Sequence, residues 1–276
     1  CSNSSPYVIL HPENKIMNTK LRLDLIRAKL SSGGKVVGGW QVLPCPEVSE
    51  MLGTFGFEFV GVDLEHGNIT RHQLPNIFRA LELGHTLPMA RIARPIPYLG
   101  VEAMEMGACG IIVPQVTSKK QVADIKDAIS YKGSRGLGFN RANKYGQRFH
   151  EYREEMKEPL LIPMFENREA IENIDDILSV GVDAALIGPF DLSASLGCTA
   201  EWDNPLLIQS LNKFKEGCKR NNVATGYHVA GTHLSMDPSE EFYIREKEGY
   251  RFIVYDADLS FIHRARVSFS EIREKI

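Results

Sequence analysis

The side chains best suited to chemistry stand where apolar runs stop. Phe57, Phe59, Val60 and Val62 lead into Asp63, Glu65, His66 and Gly67, a strand that ends in two carboxylates, an imidazole and a glycine. The pattern recurs along the chain. Arg91 and Arg94 stand at the end of Leu87–Ile92, Glu166 follows Leu160–Phe165, and Gly188-Pro189-Phe190-Asp191 follows Ala184–Ile187. His228 lies near the end of Val223–Val229, and Asp256 and Asp258 follow Arg251–Tyr255. For any one of these a salt bridge or a helix cap is explanation enough; Asp191, for instance, could cap a helix opened by Leu192-Ser193. Buried charges cost several kcal/mol unless paired or ligated, roughly, so a set converging on one rim asks for a common purpose.

Glu166 and Asp191 are the best pair for a divalent cation. Two carboxylates with no neighbouring Cys or His suit a hard octahedral ion such as Mg²⁺ or Mn²⁺. Two protein ligands leave positions open for water and substrate oxygens, which is a catalytic rather than a structural arrangement. A 2-oxo acid can chelate such an ion through its carboxylate and keto oxygens, which stabilises the enolate at C3. Arg91 supplies positive charge to the same group. His66, with Asp63 to orient it, is the acid/base candidate near neutral pH.

These side chains need a frame that brings strand ends together. Reading in order, a helix is expected near 18–31, a strand at Lys35–Val42, a helix at Pro46–Leu52 and the strand Phe57–Val62. Ile69–Leu83 follows as a helix, with Asn68 or Thr70 as cap and Gly84 just past its end. Strands are then expected at Leu87–Ile92, Gly110–Val113, Leu160–Phe165, Ala184–Ile187, Val223–Val229 and Arg251–Tyr255. The helices between and after them are Tyr98–Met106, Ser118–Ile129, Ala170–Leu178, Pro205–Asn221, Pro238–Glu248 and Leu259–Ile276. Gly133–Gly146, dense in Gly, Arg and Asn, reads as a loop. Strict alternation points to a parallel sheet with helices outside it, and eight strands are the number a closed barrel requires. No G-x-G-x-x-G follows the first strand, which argues against a doubly wound sheet. The expected architecture is α/β, a single (β/α)8 TIM barrel over 17–276 with an additional N-terminal helix and a tail at 1–16. Met17, followed directly by an amphipathic pattern, looks like a natural start.

Length and composition agree. The chain has 276 residues, 43% of them hydrophobic and 24% charged, enough for one large core. A net charge of -3 and the lack of a basic cluster give no case for nucleic acid, and no apolar run is long enough to cross a membrane. Five scattered cysteines without a C-x-x-C pair fit thiols kept reduced in a cytoplasm.

Several stretches together resemble the HpcH/HpaI family of metal-dependent (class II) pyruvate aldolases, over nearly everything from Met17 to the last helix. They are Gly56–Gly67, Gly107–Pro114, Gly133-Ser134-Arg135-Gly136-Leu137-Gly138, Glu166–Asn173 and Ile187–Gly197. The resemblance implies a barrel of the pyruvate kinase and phosphoenolpyruvate mutase type, its last helix exchanged between partners in a hexamer or trimer. It implies a metal ion (Mg²⁺, Mn²⁺ or Co²⁺) on Glu166 and Asp191, acid/base work by His66 with Asp63, and contact of Arg91 with the pyruvyl group. Gly188, Pro189 and Phe190 would line the substrate beside Asp191. The implied reaction is reversible aldol cleavage of a 4-hydroxy-2-oxo acid into pyruvate and an aldehyde. Tyr227-His228-Val229 and Gly249–Ile253 look like the branch associated with surface-sugar pathways. Three positions depart from the family pattern: Met164 replaces a glutamine two residues before the metal glutamate, Phe190 replaces a smaller residue, and Arg94 replaces a proline. They leave the metal pair intact and bear on the substrate. Two alternatives follow. One is a malyl- or citramalyl-CoA type lyase, using Arg135, Arg141 and Lys144 for the CoA phosphates; the other is a catalytically silent oligomeric binder of a sugar acid.

Overall fold

The computed structural model describes residues 18–229 and 237–273. The expected tail at 1–16, with Met17, lies outside them. Eight parallel strands close into a barrel in sequence order: β1 (Val36–Gln41), β2 (Phe59–Asp63), β3 (Leu87–Arg91), β4 (Gly110–Val113), β5 (Leu160–Phe165), β6 (Ala184–Ile187), β7 (Ala224–Val229) and β8 (Phe252–Tyr255). β8 pairs back onto β1 through Val36↔Phe252 and Gly38↔Val254. The surrounding helices are α1 (Thr19–Ser31), α2 (Pro46–Gly53), α3 (Leu74–Leu83), α4 (Pro97–Met106), α5 (Lys119–Ile129) and α6 (Phe149–Glu155). They continue with α7 (Arg168–Glu172), α8 (Ile174–Leu178), α9 (Pro189–Ser195), α10 (Pro205–Arg220), α11 (Pro238–Lys247) and α12 (Asp258–Arg273).

Every residue of β2, β3, β4, β5 and β6 is buried, because such strands are covered by side chains inside and helices outside. Inside the barrel the Phe59 and Phe252 rings stack at 4.6 Å. Phe59 occupies the space that a Cβ at Gly38 would need, and Trp40 likewise fills the space beside Gly61. Small residues opposite aromatic ones keep the interior filled rather than hollow.

The N-terminal helix closes the end of the barrel away from the candidate rim. Leu23, Ile26 and Leu30 of α1 are buried. Arg27 donates to Asp183 at 2.6 Å and to the Glu158 carbonyl at 2.6 Å, while Arg251 donates to the Leu30 carbonyl at 2.9 Å. All three partners lie just before strands begin, so α1 tethers the strand entrances.

Three local expectations are corrected and one unexpected helix is added. The helix expected from Ile69 starts at Leu74, because Pro75 favours the first turn and the Thr70 amide and hydroxyl are held by the Gln73 side chain in a turn outside the helix. The helix expected over Ala170–Leu178 divides at Asn173, whose amide donates to the Thr117 carbonyl at 2.9 Å. Pro189, not Leu192, opens the helix after β6, which puts Asp191 inside its first turn rather than at its cap. Finally, α6 forms beyond the Gly-rich loop, with Tyr152 buried against α4.

Candidate active site

Strand parity decides which side chains face the barrel axis. Tyr227 packs outward on Tyr250 at 5.0 Å and under Arg245, so its neighbour His228 points inward, where its ring meets Trp40 at 4.8 Å. On β2 and β3, Asp63 and Arg91 sit opposite each other in register. Trp40, Asp63, Arg91, Glu166 and His228 thus form the uppermost layer at the carboxyl ends of the strands, the face where barrels of this kind carry their chemistry.

The Asp63 carboxylate organises one side of this layer. Arg91 grips it with two donors, Nε to Oδ1 at 3.0 Å and Nη2 to Oδ2. The Trp40 indole N–H donates to Oδ2 at 3.2 Å, and the backbone amides of Glu65 and His66 donate to Oδ1 at 2.9 and 3.1 Å. Burial alone would raise the Asp63 carboxyl; the Arg91 guanidinium and the two amides bring it below its ordinary value. Glu65 is buried (4% of its side chain exposed) between Arg91 at 3.2 Å and Arg94 at 3.0 Å. Its Oε2 has no hydrogen-bond partner, and burial pushes its carboxyl up against the pull of Arg91, His66 and Arg94. Arg91 therefore has a fixed orientation: its guanidinium is forked onto one carboxylate, edged by another and laid 5.1 Å from the Trp40 ring centre.

His66 is placed differently from the expectation. Asp63 binds its backbone amide, not its imidazole, since both Asp63 oxygens are already taken. The imidazole is 62% exposed at the mouth, with Nε2 4.0 Å from Glu65 Oε2. The structure brings His66 to the rim but does not couple it to Asp63 as an acid/base dyad.

Across the mouth, Glu166 follows β5 and Asp191 lies in the first turn of α9. Glu166 is buried and accepts from the Gln115 backbone amide at 2.6 Å. A Cβ at Gly188 would lie 2.8 Å from Glu166 Oε2, so glycine there leaves the second oxygen its room. Burial pushes Glu166 up to about 8; the negative charges of Glu65 and Asp191 add to this, while Gln115 and Arg91 oppose it. A carboxylate raised by burial and by the neighbouring charges of Glu65 and Asp191 fits a hard divalent cation, which would relieve that repulsion. Among the described residues no cluster of three or more His, Cys, Asp or Glu side chains is arranged to hold a metal; two carboxylates alone would leave open positions on one. Pro189 is buried, and Phe190 stands half exposed beside Asp191 with its ring 6.1 Å from Trp202. Met164 is buried on the same strand face as Glu166, one layer deeper.

The basic residues of the Gly-rich loop are not at this rim. Arg135 and Asn140 bind Glu105 near the end of α4, Arg141 grips Glu82 near the end of α3 with two donors at 2.8 Å, and Lys144 joins Glu82 at 3.4 Å. Those helix ends lead into strand entrances, on the opposite end of the barrel. These charges brace the scaffold, which removes the phosphate patch suggested for CoA. Sequence reasoning missed Trp40 and Gln115. A Trp at the end of the first strand was a readable signal; the Gln115 contribution is a backbone amide presented at φ 51°, which no side-chain pattern announces.

The comparisons with known proteins agree with this geometry. The sequence profile of the HpcH/HpaI aldolase/citrate lyase family matches residues 38–241. A hydroxypyruvate/pyruvate aldolase of Rhizorhabdus wittichii is 28% identical over 252 residues, covering 88% of this chain and 96% of the relative. A 2-keto-3-deoxy-L-rhamnonate aldolase of Klebsiella pneumoniae is 29% identical over 236 residues, 82% of each chain. A crystal structure of an HpcH/HpaI aldolase/citrate lyase family protein from Burkholderia cenocepacia superposes with a TM-score of 0.81 at 24% identity, covering 90% of this chain and 99% of that one, and shows the shared barrel. With its barrel, its carboxylate pair and a profile match over most of its length, this chain belongs to the HpcH/HpaI aldolase/citrate lyase family.

Proposed function

We propose that the protein is a divalent-metal-dependent aldolase, a carbon–carbon lyase that reversibly cleaves a 4-hydroxy-2-oxo acid into pyruvate and an aldehyde. The observation that carries this reading is the Glu166–Asp191 carboxylate pair facing an Arg91 guanidinium immobilised by Asp63 and Glu65. Glu166 and Asp191 would hold a divalent ion such as Mg²⁺, Mn²⁺ or Co²⁺, which would supply Lewis acidity to a bound 2-oxo acid. Arg91 orients the pyruvyl group and stabilises negative charge as it develops on the keto oxygen, at no reorganisation cost because its own partners already hold it. Asp63 positions Arg91 and the turn that carries His66. His66, exposed at the mouth, moves the proton of the 4-hydroxyl. Phe190 and Trp202 form an apolar wall on the aldehyde side.

Exposed Leu259, Ile262 and Phe269 on α12 support a homo-oligomer built through that helix. The buried unpaired thiols of Cys109, Cys198 and Cys218 support a reducing compartment such as the cytoplasm.

The test is proton exchange on pyruvate. Metal-stripped protein is incubated with pyruvate in D₂O, and the methyl signal is followed by NMR with and without Mg²⁺, Mn²⁺ or Co²⁺. Metal-dependent loss of the methyl protons is expected. No exchange with any of the three metals would refute pyruvate as the carbon nucleophile.

A further inference from the structure

The chemistry just described leaves His228 unused. Its ring lies in the same layer as Trp40, Asp63, Arg91 and Glu166, packed on the Trp40 ring at 4.8 Å. The Asp256 backbone beside the ring favours its protonated form, the direction that a carbonyl facing a ring N–H gives. Asp256 is itself held firmly, buried at φ 59° and paired with Arg264 of α12 at 2.5 Å. With the ring N–H turned to that carbonyl, the neutral ring offers Nε2 as its acceptor. That Nε2 is buried and has no hydrogen-bond partner among the described residues.

An unpartnered buried acceptor is destabilising, and a fixed scaffold that retains one at the mouth of a site invites a donor from the ligand. Protonating the ring does not solve the problem. Burial pushes His228 down to about 4, and the Arg91 charge adds to this, outweighing the Asp256 contact and the Asp63 charge. Pyruvate cannot satisfy Nε2 either, for its anion has no hydrogen-bond donor. A hydroxyl can.

We infer that His228 is a specificity-determining residue, accepting a hydrogen bond at Nε2 from a substrate hydroxyl next to the reacting carbons. The hydroxyl has two chemical sources: a 2-hydroxyaldehyde as electrophile, or a 3-hydroxy-2-oxo acid as nucleophile. Either way the site favours hydroxylated substrates over their deoxy counterparts. A site built to accept from a hydroxyl discriminates strongly against the analogue that lacks it, because the acceptor is then left buried and unpaired.

The inference rests on the aldolase reading, and the experiment separates the two. Wild type, His228→Phe and His228→Gln are loaded with Mn²⁺, checked for folding by circular dichroism, and compared in pyruvate methyl-proton exchange and in aldol addition. One arm pairs glycolaldehyde with acetaldehyde at fixed pyruvate. The other pairs hydroxypyruvate with pyruvate at a fixed aldehyde. Wild type is expected to prefer the hydroxylated partner in one arm by about tenfold or more in kcat/KM, the scale of one well-made hydrogen bond. His228→Phe should reduce that ratio to near unity whatever its absolute rate, and His228→Gln, which retains an acceptor, should restore part of the preference. Equal ratios in wild type and His228→Phe in both arms, with exchange intact, would overturn the role of His228 alone. Absence in wild type of metal-dependent exchange with pyruvate and of aldol addition in both arms would overturn the aldolase reading, and this inference with it. If His228→Phe fails to fold, His228→Gln decides: a hydroxyl preference equal to or below that of a folded His228→Leu variant refutes an acceptor at this position.

Discussion

Replacing Glu166 by glutamine is expected to stabilise the metal-free protein while removing its metal-dependent chemistry. Glutamine keeps the acceptor for the Gln115 amide and carries no charge into a site where Glu65 and Asp191 already repel it. Burial and that repulsion raise Glu166 from 4.5 to about 8. Between those values the folded chain holds a proton that the unfolded chain has lost. Its stabilising contribution is therefore complete below the unfolded value and declines as pH rises through the folded one. At about 1.4 kcal/mol per pH unit the loss amounts to roughly 3 kcal/mol at pH 7 and on the order of 5 kcal/mol above pH 8. The assay is urea denaturation of chelator-treated parent and variant from pH 5 to 8.5. The two should be close at pH 5, the variant should lead by a few kcal/mol at pH 8, and millimolar Mn²⁺ should raise the parent only. Parallel stability curves, or a variant less stable throughout, would refute the account of Glu166 as a carboxylate held under strain for a cation.

Asp191→Asn should abolish metal-dependent exchange of the pyruvate methyl protons with an unchanged circular dichroism spectrum; normal exchange would remove Asp191 from the metal site. His66→Ala should slow aldol turnover by roughly 10²–10⁴ if the exposed imidazole moves the 4-hydroxyl proton. An unchanged kcat would shift that task to another group at the rim. Arg141→Ala should cost roughly 1–3 kcal/mol in urea denaturation by leaving Glu82 without its forked partner. Its kcat with pyruvate should stay within about twofold of wild type, since the loop lies at the far end of the barrel from the site; a large kcat loss would contradict that placement.

The barrel was legible because its strands are buried on both faces and so write themselves as continuous apolar runs, each punctuated by a polar residue at the functional end. All eight strands fall within a residue or two of their expected bounds at either end. Helix starts were less legible where proline and side-chain turns compete for the first turn, as at Thr70–Pro75 and Pro189. The rim residues Asp63, Arg91, Glu166 and Asp191 could be found from strand ends alone. Their connections could not. That Asp63 serves Arg91 and Trp40 rather than the His66 ring depends on register between β2 and β3 and on a side chain from β1. The destination of Arg135 and Arg141 depends on helix ends that lie 30 and 59 residues away along the chain.

The distribution of charge separates scaffold from site more sharply than sequence position does. At the strand entrances basic residues meet acidic partners: Arg135 with Glu105, Arg141 with Glu82, Arg27 with Asp183. At the opposite rim Asp63 and Glu65 are paired with Arg91 and Arg94, while Glu166 and Asp191 have no ion pair among the described residues. Glu166 and Asp191 thus lack the guanidinium partners that Asp63 and Glu65 have. A further guanidinium there would offer no open coordination position to a 2-oxo acid. Asp63 and Glu65 are consumed in fixing Arg91, whereas Glu166 is the carboxylate pushed up to about 8. The unpaired carboxylates stand between the ends of β5 and β6, and that is where the proposed reading puts the ion and the pyruvyl group.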